Sequence, residues 1–178
     1  SIFIGLNGDF APWVGDLIAD TKQPLLLVIP EGKEEEAITR LSRVGFDSAI
    51  GYLKGGIEAW KAAGKEIDQI TSITSSEAKD IIDKGDAAIF DVRKDGEYLS
   101  EHLVGAVHTP LSELNKHLSK FPEKGDFLVH CAGGYRSVIA SSILKSRGIH
   151  NLIDVKGGYG ALKKEDLKKT DYVCPTTL

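Results

Sequence analysis

Residues 127–137, with the sequence FLVHCAGGYRS, decide the fold of this protein. The apolar run that opens the stretch predicts a short buried strand, and a glycine-containing turn leads from it into a helical pattern over residues 137–147. Gly148 lies where a helix-terminating glycine is expected, and a second apolar run follows at Leu152–Val155. Short apolar strands that alternate with helices are typical of a parallel sheet in an α/β domain.

An earlier segment repeats this pattern of strand, loop, helix, glycine, strand and helix. Its strands are predicted at residues 25–29 and 49–53, with a helix at residues 34–44 between them. Both copies then continue with Lys-Gly-Gly, at residues 54–56 and 156–158. The repeat therefore predicts two α/β units in one chain.

The two copies differ in what precedes them. A helical stretch from Ser75 and a buried strand at residues 87–90 lie ahead of the second copy, and the first copy has no equivalent. We therefore predict a truncated module over residues 1–69 and a complete domain over residues 70–178. The chain is expected to be the tail of a longer protein.

Cys131 lies at the end of the predicted strand, at the base of the loop. The first N–H groups of the following helix have no partner inside it, and the helix dipole adds partial positive charge there. Gly133 and Gly134 allow positive φ angles, so successive amides can converge on one point as an anion-binding nest. We therefore expect Cys131 to be a reactive thiolate and the catalytic nucleophile.

The other loop residues, Ala132, Tyr135, Arg136 and Ser137, are predicted to bind the substrate together with the two glycines. Arg136 supplies a planar cation for an oxyanion above the sulfur, and Ser137 is expected to cap the helix and to donate to the thiolate. Tyr135 is expected at the mouth of the pocket. The alternative is a small, buried and inert cysteine at a strand end, which does not explain why Gly-Gly, Arg and Ser follow it.

The segment over residues 74–162 resembles the rhodanese family of sulfurtransferases. The motifs that carry the resemblance are residues 89–93, 97–98, 101–111, 131–136 and 156–158. The resemblance implies a rhodanese-like parallel-sheet domain flanked by helices, in which Cys131 takes up sulfane sulfur as a persulfide. It implies thiosulfate or a low-molecular-weight persulfide as donor, a thiol, cyanide or sulfite as acceptor, and no cofactor.

Three further residues match family positions that support the site. Asp91 is expected to order the active-site side, although a turn carboxylate bonded to nearby amides fits equally well. Arg93 is expected to form an ion pair with Glu97, and His102 is interpreted as a packing and hydrogen-bonding residue. His130 should point away from Cys131, because successive side chains of a strand face opposite sides.

The first copy has no cysteine in residues 1–70, and three glutamates at residues 34–36 replace the Gly-Tyr-Arg stretch of the loop. Their charge would repel an anion, although glutamates at a helix start also fit dipole stabilisation. We predict that this module is catalytically inactive and serves as a docking element. The whole chain resembles the C-terminal tandem-rhodanese region of bacterial metallo-β-lactamase-like persulfide dioxygenase fusions, which implies such a domain upstream in the same polypeptide.

Composition excludes several other classes. The net charge of −4, with acids and bases interspersed, gives no basic face for nucleic acid. No apolar run approaches the ~20 residues that a membrane span needs, and the N-terminus lacks the pattern of a signal peptide. Two cysteines do not make a disulfide framework or, without His-x-x-His spacing, a zinc site, and we expect a cytoplasmic location.

Two alternatives from other classes stay open. Both modules could form a non-catalytic docking or regulatory tail of a dioxygenase. A cysteine-based phosphatase or arsenate reductase would use the same thiolate chemistry, but the tyrosine phosphatase loop is one residue longer between Cys and Arg. Cys174 is a candidate resolving thiol, although a tail cysteine without function fits it as well. Reactivity of Cys131 near neutral pH distinguishes an enzyme from a scaffold.

Overall fold

The computed structural model describes residues 1–174. The chain forms two compact units, one over Ile4–Gln69 and the other from Ile70 onward together with Ser1–Phe3. No helix within the described range has the length and apolar character needed to cross a membrane. The assignment of the first unit to a truncated, inactive module stays a prediction.

The unit over residues 4–69 is built around a parallel pair of strands. Its elements in chain order are α1 (Phe10–Leu17), β1 (Leu25–Leu27), α2 (Glu34–Ser42), β2 (Ala49–Tyr52) and α3 (Gly56–Ala62). Its buried core contains Phe10, Val14, Leu41 and Phe46. Leu26 and Ile50, which point to the opposite face of the pair by strand alternation, are each 71% exposed.

The unit from residue 70 onward contains a five-stranded sheet in which every pair of neighbours is parallel. Its elements are β3 (Thr71–Ile73), α4 (Ser75–Lys84), β4 (Ala88–Asp91), α5 (Asp95–Ser100), β5 (Val107–His108), β6 (Phe127–His130), α6 (Tyr135–Ser146), β7 (Leu152–Val155) and α7 (Gly158–Leu162). Two short 3₁₀ helices, Leu111–Lys116 and Leu118–Lys120, connect β5 to β6. The strand order is β3-β7-β6-β4-β5, which confirms the predicted α/β fold with a parallel sheet flanked by helices.

Strand β6 lies at the centre of this sheet, and all four of its residues are buried. Leu128 packs with Ala78 of α4 and Leu162 of α7 on one face. Phe127 points to the other face and meets the ring of Phe90 with centroids 5.2 Å apart. A parallel strand that is covered on both faces has a continuous apolar sequence, which is why this strand was predictable.

Helix α6 begins at Tyr135, two residues before the predicted start at Ser137. Gly134 adopts a φ of 106° and turns the chain into the helix earlier than the hydrophobic pattern indicates. Ser137 therefore lies inside the first turn of α6, and the prediction that it caps the helix is wrong.

Candidate active site

Cys131 follows β6 directly, at the carboxyl end of the central strand, and is 1% exposed. The backbone N–H of Gly134 donates to its Sγ at 3.1 Å. Of the two loop glycines, Gly134 alone adopts a positive φ, so the loop turns at one glycine rather than at two. A backbone N–H that points at the sulfur stabilises negative charge there.

The hydroxyl of Ser137 is the second polar group at the sulfur. Its Oγ lies 3.6 Å from Sγ of Cys131, and it donates to the carbonyl oxygen of Gly134 at 3.2 Å. Ser137 is fully buried, so its hydroxyl faces the loop rather than solvent. The early start of α6 places this hydroxyl beside the sulfur.

The first turn of α7 holds the other side of the loop. The N–H of Tyr159 donates to the carbonyl of Cys131 at 2.6 Å, and the N–H of Gly160 donates to the carbonyl of Ala132 at 2.9 Å. A Cβ at Gly158 would lie 2.3 Å from the carbonyl oxygen of Cys131. A glycine is therefore required where α7 approaches the loop.

Arg136 is held by a carboxylate from another element. Its two terminal nitrogens donate to Glu97 of α5 at 2.5 and 2.8 Å, and its side chain is 14% exposed. The hydrogen bond to Glu97 raises the pKa of the guanidinium against the opposing effect of burial. Burial raises the pKa of Glu97, but the hydrogen bonds from Arg136 and from the Lys94 backbone bring it below its usual value. Both partners are therefore charged at neutral pH.

Arg93 does not form the predicted ion pair with Glu97. It is buried, and its Nε and Nη2 donate to the Asp91 carboxylate at 2.9 and 2.6 Å. Its guanidinium also lies 4.0 Å from the centre of the Tyr159 ring. Asp91 is only two residues from Arg93 in the chain and is wholly buried, whereas Glu97 lies on the helix that follows. The nearer carboxylate therefore pairs with Arg93.

His102 and His130 each have a ring nitrogen within hydrogen-bond distance of a backbone carbonyl oxygen. Nδ1 of His102 lies 2.7 Å from the carbonyl oxygen of Tyr98, and the two rings stack 3.7 Å apart. His130 is fully buried, with Nδ1 3.2 Å from the carbonyl oxygen of Cys131, and burial lowers its pKa. Support of the site by Asp91, Arg93 and His102 stays a prediction.

The unit over residues 4–69 has an apolar residue at the corresponding position. A Cβ at Gly56, in the first copy of Lys-Gly-Gly, would lie 2.8 Å from the carbonyl oxygen of Ile29. Gly158 stands in the same relation to Cys131, and the two glycines have φ angles of 57° and 53°. Ile29 therefore occupies the position that corresponds to Cys131, and glutamates begin the following helix.

Three residues near the loop escaped the sequence analysis as site residues. The sequence predicts that Glu97 pairs with Arg93, and it indicates Gly158 only as part of the Lys-Gly-Gly motif. The repetition of Lys-Gly-Gly in both copies was a signal for a close backbone approach at Gly158. The third is Asp154, a buried residue of β7 that is the register partner of Val129. It gave no signal, because a single acidic residue in a strand does not indicate its partner. In the range 1–174, no three His, Cys, Asp or Glu side chains are grouped as a metal site.

Comparisons with known proteins agree with this geometry. A family model described as the rhodanese-like domain matches residues 74–165. The putative sulfur carrier protein YrkF of Bacillus subtilis is 30% identical over 106 residues, which are 59% of this chain and 55% of YrkF. The thiosulfate sulfurtransferase GlpE of Coxiella burnetii is 29% identical over 91 residues, covering 51% of this chain and 85% of GlpE.

Solved structures extend the comparison. A rhodanese-like domain protein from Staphylococcus aureus has a TM-score of 0.51 and 30% identity, and the match covers 56% of this chain and 97% of that one. This chain thus spans about half the length of YrkF and nearly all of a single rhodanese-like domain.

Proposed function

The chain belongs to the rhodanese-like domain family, and on that premise we propose that it is a sulfurtransferase that carries sulfane sulfur as a persulfide on Cys131. The observation that carries the proposal is the geometry at Sγ, where the N–H of Gly134 points at a buried sulfur from 3.1 Å. Such a donor stabilises a thiolate and, after transfer, an anionic persulfide.

The proposed reaction has two steps. The thiolate of Cys131 attacks the outer sulfur of the donor, an Sγ–S bond forms, and the donor's own bond to that sulfur breaks. With thiosulfate the leaving group is sulfite, and with a persulfide it is a thiolate. An acceptor such as a thiol, cyanide or sulfite then attacks the outer sulfur and regenerates the thiolate. Neither step requires a metal or an organic cofactor.

Arg136 is proposed to hold the anionic end of the donor above the sulfur. Its planar guanidinium carries five N–H groups, and the contacts with Glu97 use two nitrogens on one side. Glu97 fixes the orientation of the cation, so the side chain needs little reordering when an oxyanion arrives. The names of GlpE and YrkF, a thiosulfate sulfurtransferase and a putative sulfur carrier, agree with this substrate class.

The wider setting is proposed on the same basis. The substrate-binding set is residues 132–137 around Cys131, supported by Asp91, Arg93 and His102. Ile29 in place of a nucleophile favours a docking role for the first unit. A metallo-β-lactamase-like domain of the same polypeptide is the proposed occupant of that docking role, in the cytoplasm, without nucleic acid or membrane.

Intact-mass spectrometry tests the proposal directly. The reduced protein is incubated with thiosulfate or with glutathione persulfide and compared with Cys131→Ser and with Cys174→Ser as the matched control. We expect the wild type and Cys174→Ser to gain one sulfur atom that cyanide or a thiol removes, and Cys131→Ser to gain none.

A folded wild-type protein that gains no sulfur from either donor would contradict the sulfurtransferase. Hydrolysis of an aryl phosphate that depends on Cys131 would then favour the phosphatase alternative. Absence of both activities would favour the docking or regulatory tail.

A further inference from the structure

Asp154 is a buried carboxylate that the fold does not satisfy. It lies in β7, is 3% exposed, and its Oδ2 accepts a hydrogen bond from the Ser72 hydroxyl at 3.2 Å. Its Oδ1 is buried and has no hydrogen-bond partner of ordinary length among residues 1–174. Burial of an acceptor without a partner is unfavourable, so a role outside stability is indicated.

The strand register places this carboxylate on the same face as the nucleophile. Asp154 of β7 is the register partner of Val129 of β6, and neighbouring residues in register point to the same side of a sheet. Val129 precedes Cys131 by two residues, which is the strand repeat. Helix α6 covers this face of the two strands, and its first turn carries Ser137.

Ser137 lies beside the sulfur and on the buried face that carries Asp154. Its Oγ lies 3.6 Å from Sγ of Cys131, and its hydroxyl donates to the Gly134 carbonyl at 3.2 Å. Helix α6 packs on β7, and Ser137 and Asp154 are both buried. Burial raises the pKa of Asp154, and hydrogen bonding from Ser137 acts in the opposite direction. A serine hydroxyl rotates about its C–O bond, so it can redirect its proton from the carbonyl to Oδ1.

We propose that Asp154 is a positioning residue that takes up the proton of Cys131 through the hydroxyl of Ser137. The proposal rests on the sulfur-transfer function, in which Cys131 must be a thiolate when it meets the donor.

The proton transfer balances within the three residues. The S–H bond of Cys131 breaks as its proton passes to Oγ of Ser137, and the original hydroxyl proton of Ser137 passes to Oδ1 of Asp154. The products are a thiolate, a serine hydroxyl that now donates to the sulfur, and a neutral carboxylic acid. The total charge is unchanged, so no ion has to cross the buried face.

The direction of the transfer follows from burial. Two buried anions so close together disfavour each other, so one negative charge is shared between sulfur and carboxylate. Protonation of Asp154 removes the buried carboxylate, while the negative charge moves to a sulfur that the N–H of Gly134 already stabilises. Both sites have a donor, the Gly134 N–H at the sulfur and the Ser72 hydroxyl at Oδ2 of Asp154, but the transfer gives a proton to Oδ1, which has none in the described part of the chain.

The other charged groups near this face do not accept a proton at neutral pH. Arg136 and Lys156 are cations, and Lys156 lowers the pKa of Asp154 through its charge. Glu97 is held ionised by its hydrogen bonds with Arg136, and His130 points to the other face of β6 by strand alternation. From β3 and α6, the side chains of Ser72 and Ser141 add hydroxyls but no titrating group.

Alkylation of Cys131 as a function of pH tests the proposal, in a Cys174→Ser background so that only one thiol reacts. Because the pair shares one proton, the parent protein should show a plateau in rate over the pH range between its two titrations. Asp154→Asn and Ser137→Ala should lose the plateau, and their rates should rise about tenfold per pH unit through the same range. Ser137→Thr keeps a hydroxyl and should keep the plateau.

A merely structural Asp154 gives a different result. An Asp154→Asn profile that keeps the shape of the parent profile, even if shifted along the pH axis, would overturn the proposal. So would a profile that is flat in all variants, since a thiol that is ionised without help needs no acceptor.

Infrared spectroscopy gives a second readout that does not depend on a folded Asp154→Asn variant. We expect a band of a protonated buried carboxyl at neutral pH in the wild type and no such band in Cys131→Ala. A band of equal size in both would show that the proton of Asp154 comes from solvent, and absence of the band in the wild type would show that no proton is taken up; either result overturns the proposal.

The sulfur-loading test separates the two proposals. Persulfide formation without a change in the alkylation profile leaves sulfur transfer standing and removes the proton path. A profile that depends on Asp154, in a protein that takes up no sulfur, removes sulfur transfer and keeps the proton path.

Discussion

Arg136 reaches its orientation through Glu97, a residue on another helix. The Glu97 carboxylate accepts a hydrogen bond from each terminal nitrogen of Arg136, so the guanidinium plane is fixed before any substrate binds. Arg93 has a similar relation to Asp91, but that pair is buried and lies against Tyr159 rather than at the surface. The two arginines therefore differ in surroundings: Arg93 is buried beneath the loop, and Arg136, proposed to bind the anionic donor, is partly exposed.

Asp154→Asn is expected to stabilise the protein at neutral pH. Burial raises the folded-state pKa of Asp154 above its usual value, so the folded state loses stability relative to the unfolded state as the pH rises through that folded-state pKa. At neutral pH the pair of Asp154 and Cys131 shares one buried negative charge, and the amide removes that charge because Cys131 then keeps its proton. Urea unfolding at pH 7.5 should give a higher free energy of unfolding for the variant than for the wild type.

The difference should shrink in acid, where the aspartate is protonated in both states. Asp86→Asn is the matched control, because Asp86 is exposed. An equal response of the two variants at pH 7.5 would contradict the expectation.

At the scale of elements, the site is a junction of three helices at the end of one strand. Cys131 follows strand β6, and the start of α6 contributes the N–H and hydroxyl groups near its sulfur. Helix α5 contributes Glu97, and N–H groups of α7 donate to the carbonyl oxygens of the loop. The Lys-Gly-Gly motif has a steric reason, because only a residue without Cβ allows α7 to approach the carbonyl of Cys131.

Gly158→Ala is expected to slow persulfide formation by about tenfold or more, since a small displacement of a reacting group is enough for such a loss. Its new Cβ would lie 2.3 Å from the Cys131 carbonyl oxygen, so α7 and the loop must separate. The rate of sulfur uptake, followed by mass spectrometry, is the measurement.

Gly85→Ala is the control for backbone strain alone. Gly85 has a φ of 71°, and a Cβ there meets no atom within 4 Å. Both variants should lose about 1–2 kcal/mol of stability from the left-handed conformation, but only Gly158→Ala should lose rate. Equal rates in the two variants would remove the proposed role of α7.

At the scale of the whole molecule, every described contact of Cys131 lies within the unit that begins at Ile70. Residues 1–3 belong to that unit by contact, with the N–H of Phe3 donating to the Ser142 hydroxyl at 2.9 Å on the exposed surface. One such surface hydrogen bond contributes little to stability compared with a five-stranded sheet.

A protein that begins at Ile70 is therefore expected to fold and to take up sulfur at a rate within about twofold of the whole chain. Circular dichroism and the sulfur-loading assay compare the shorter protein with the whole chain. The whole chain with Ile29→Ala, which alters the first unit at a single position, is measured alongside. An unfolded or inactive shorter protein would show that the first unit contributes to the site.

Three features were predictable from the amino-acid sequence alone: the parallel α/β architecture, the position of the cysteine at a strand end, and the glycine turn that begins α6. These features depend on apolar runs, helix periodicity and turn residues, all of which act between near neighbours in the chain. The start of α6 was misplaced by two residues because a positive φ at Gly134 is a local choice that the hydrophobic pattern does not encode.

The pairing of charged groups could not be predicted in this way, because it depends on the packing of the folded chain. Glu97 pairs with Arg136 rather than with Arg93, and Asp154 lies on the same buried face of the sheet as Ser137. Strand register and helix packing bring these residues together although they are far apart in sequence. The energy of an ion pair or of a buried carboxylate depends on distance and surroundings, and neither is encoded by composition or spacing.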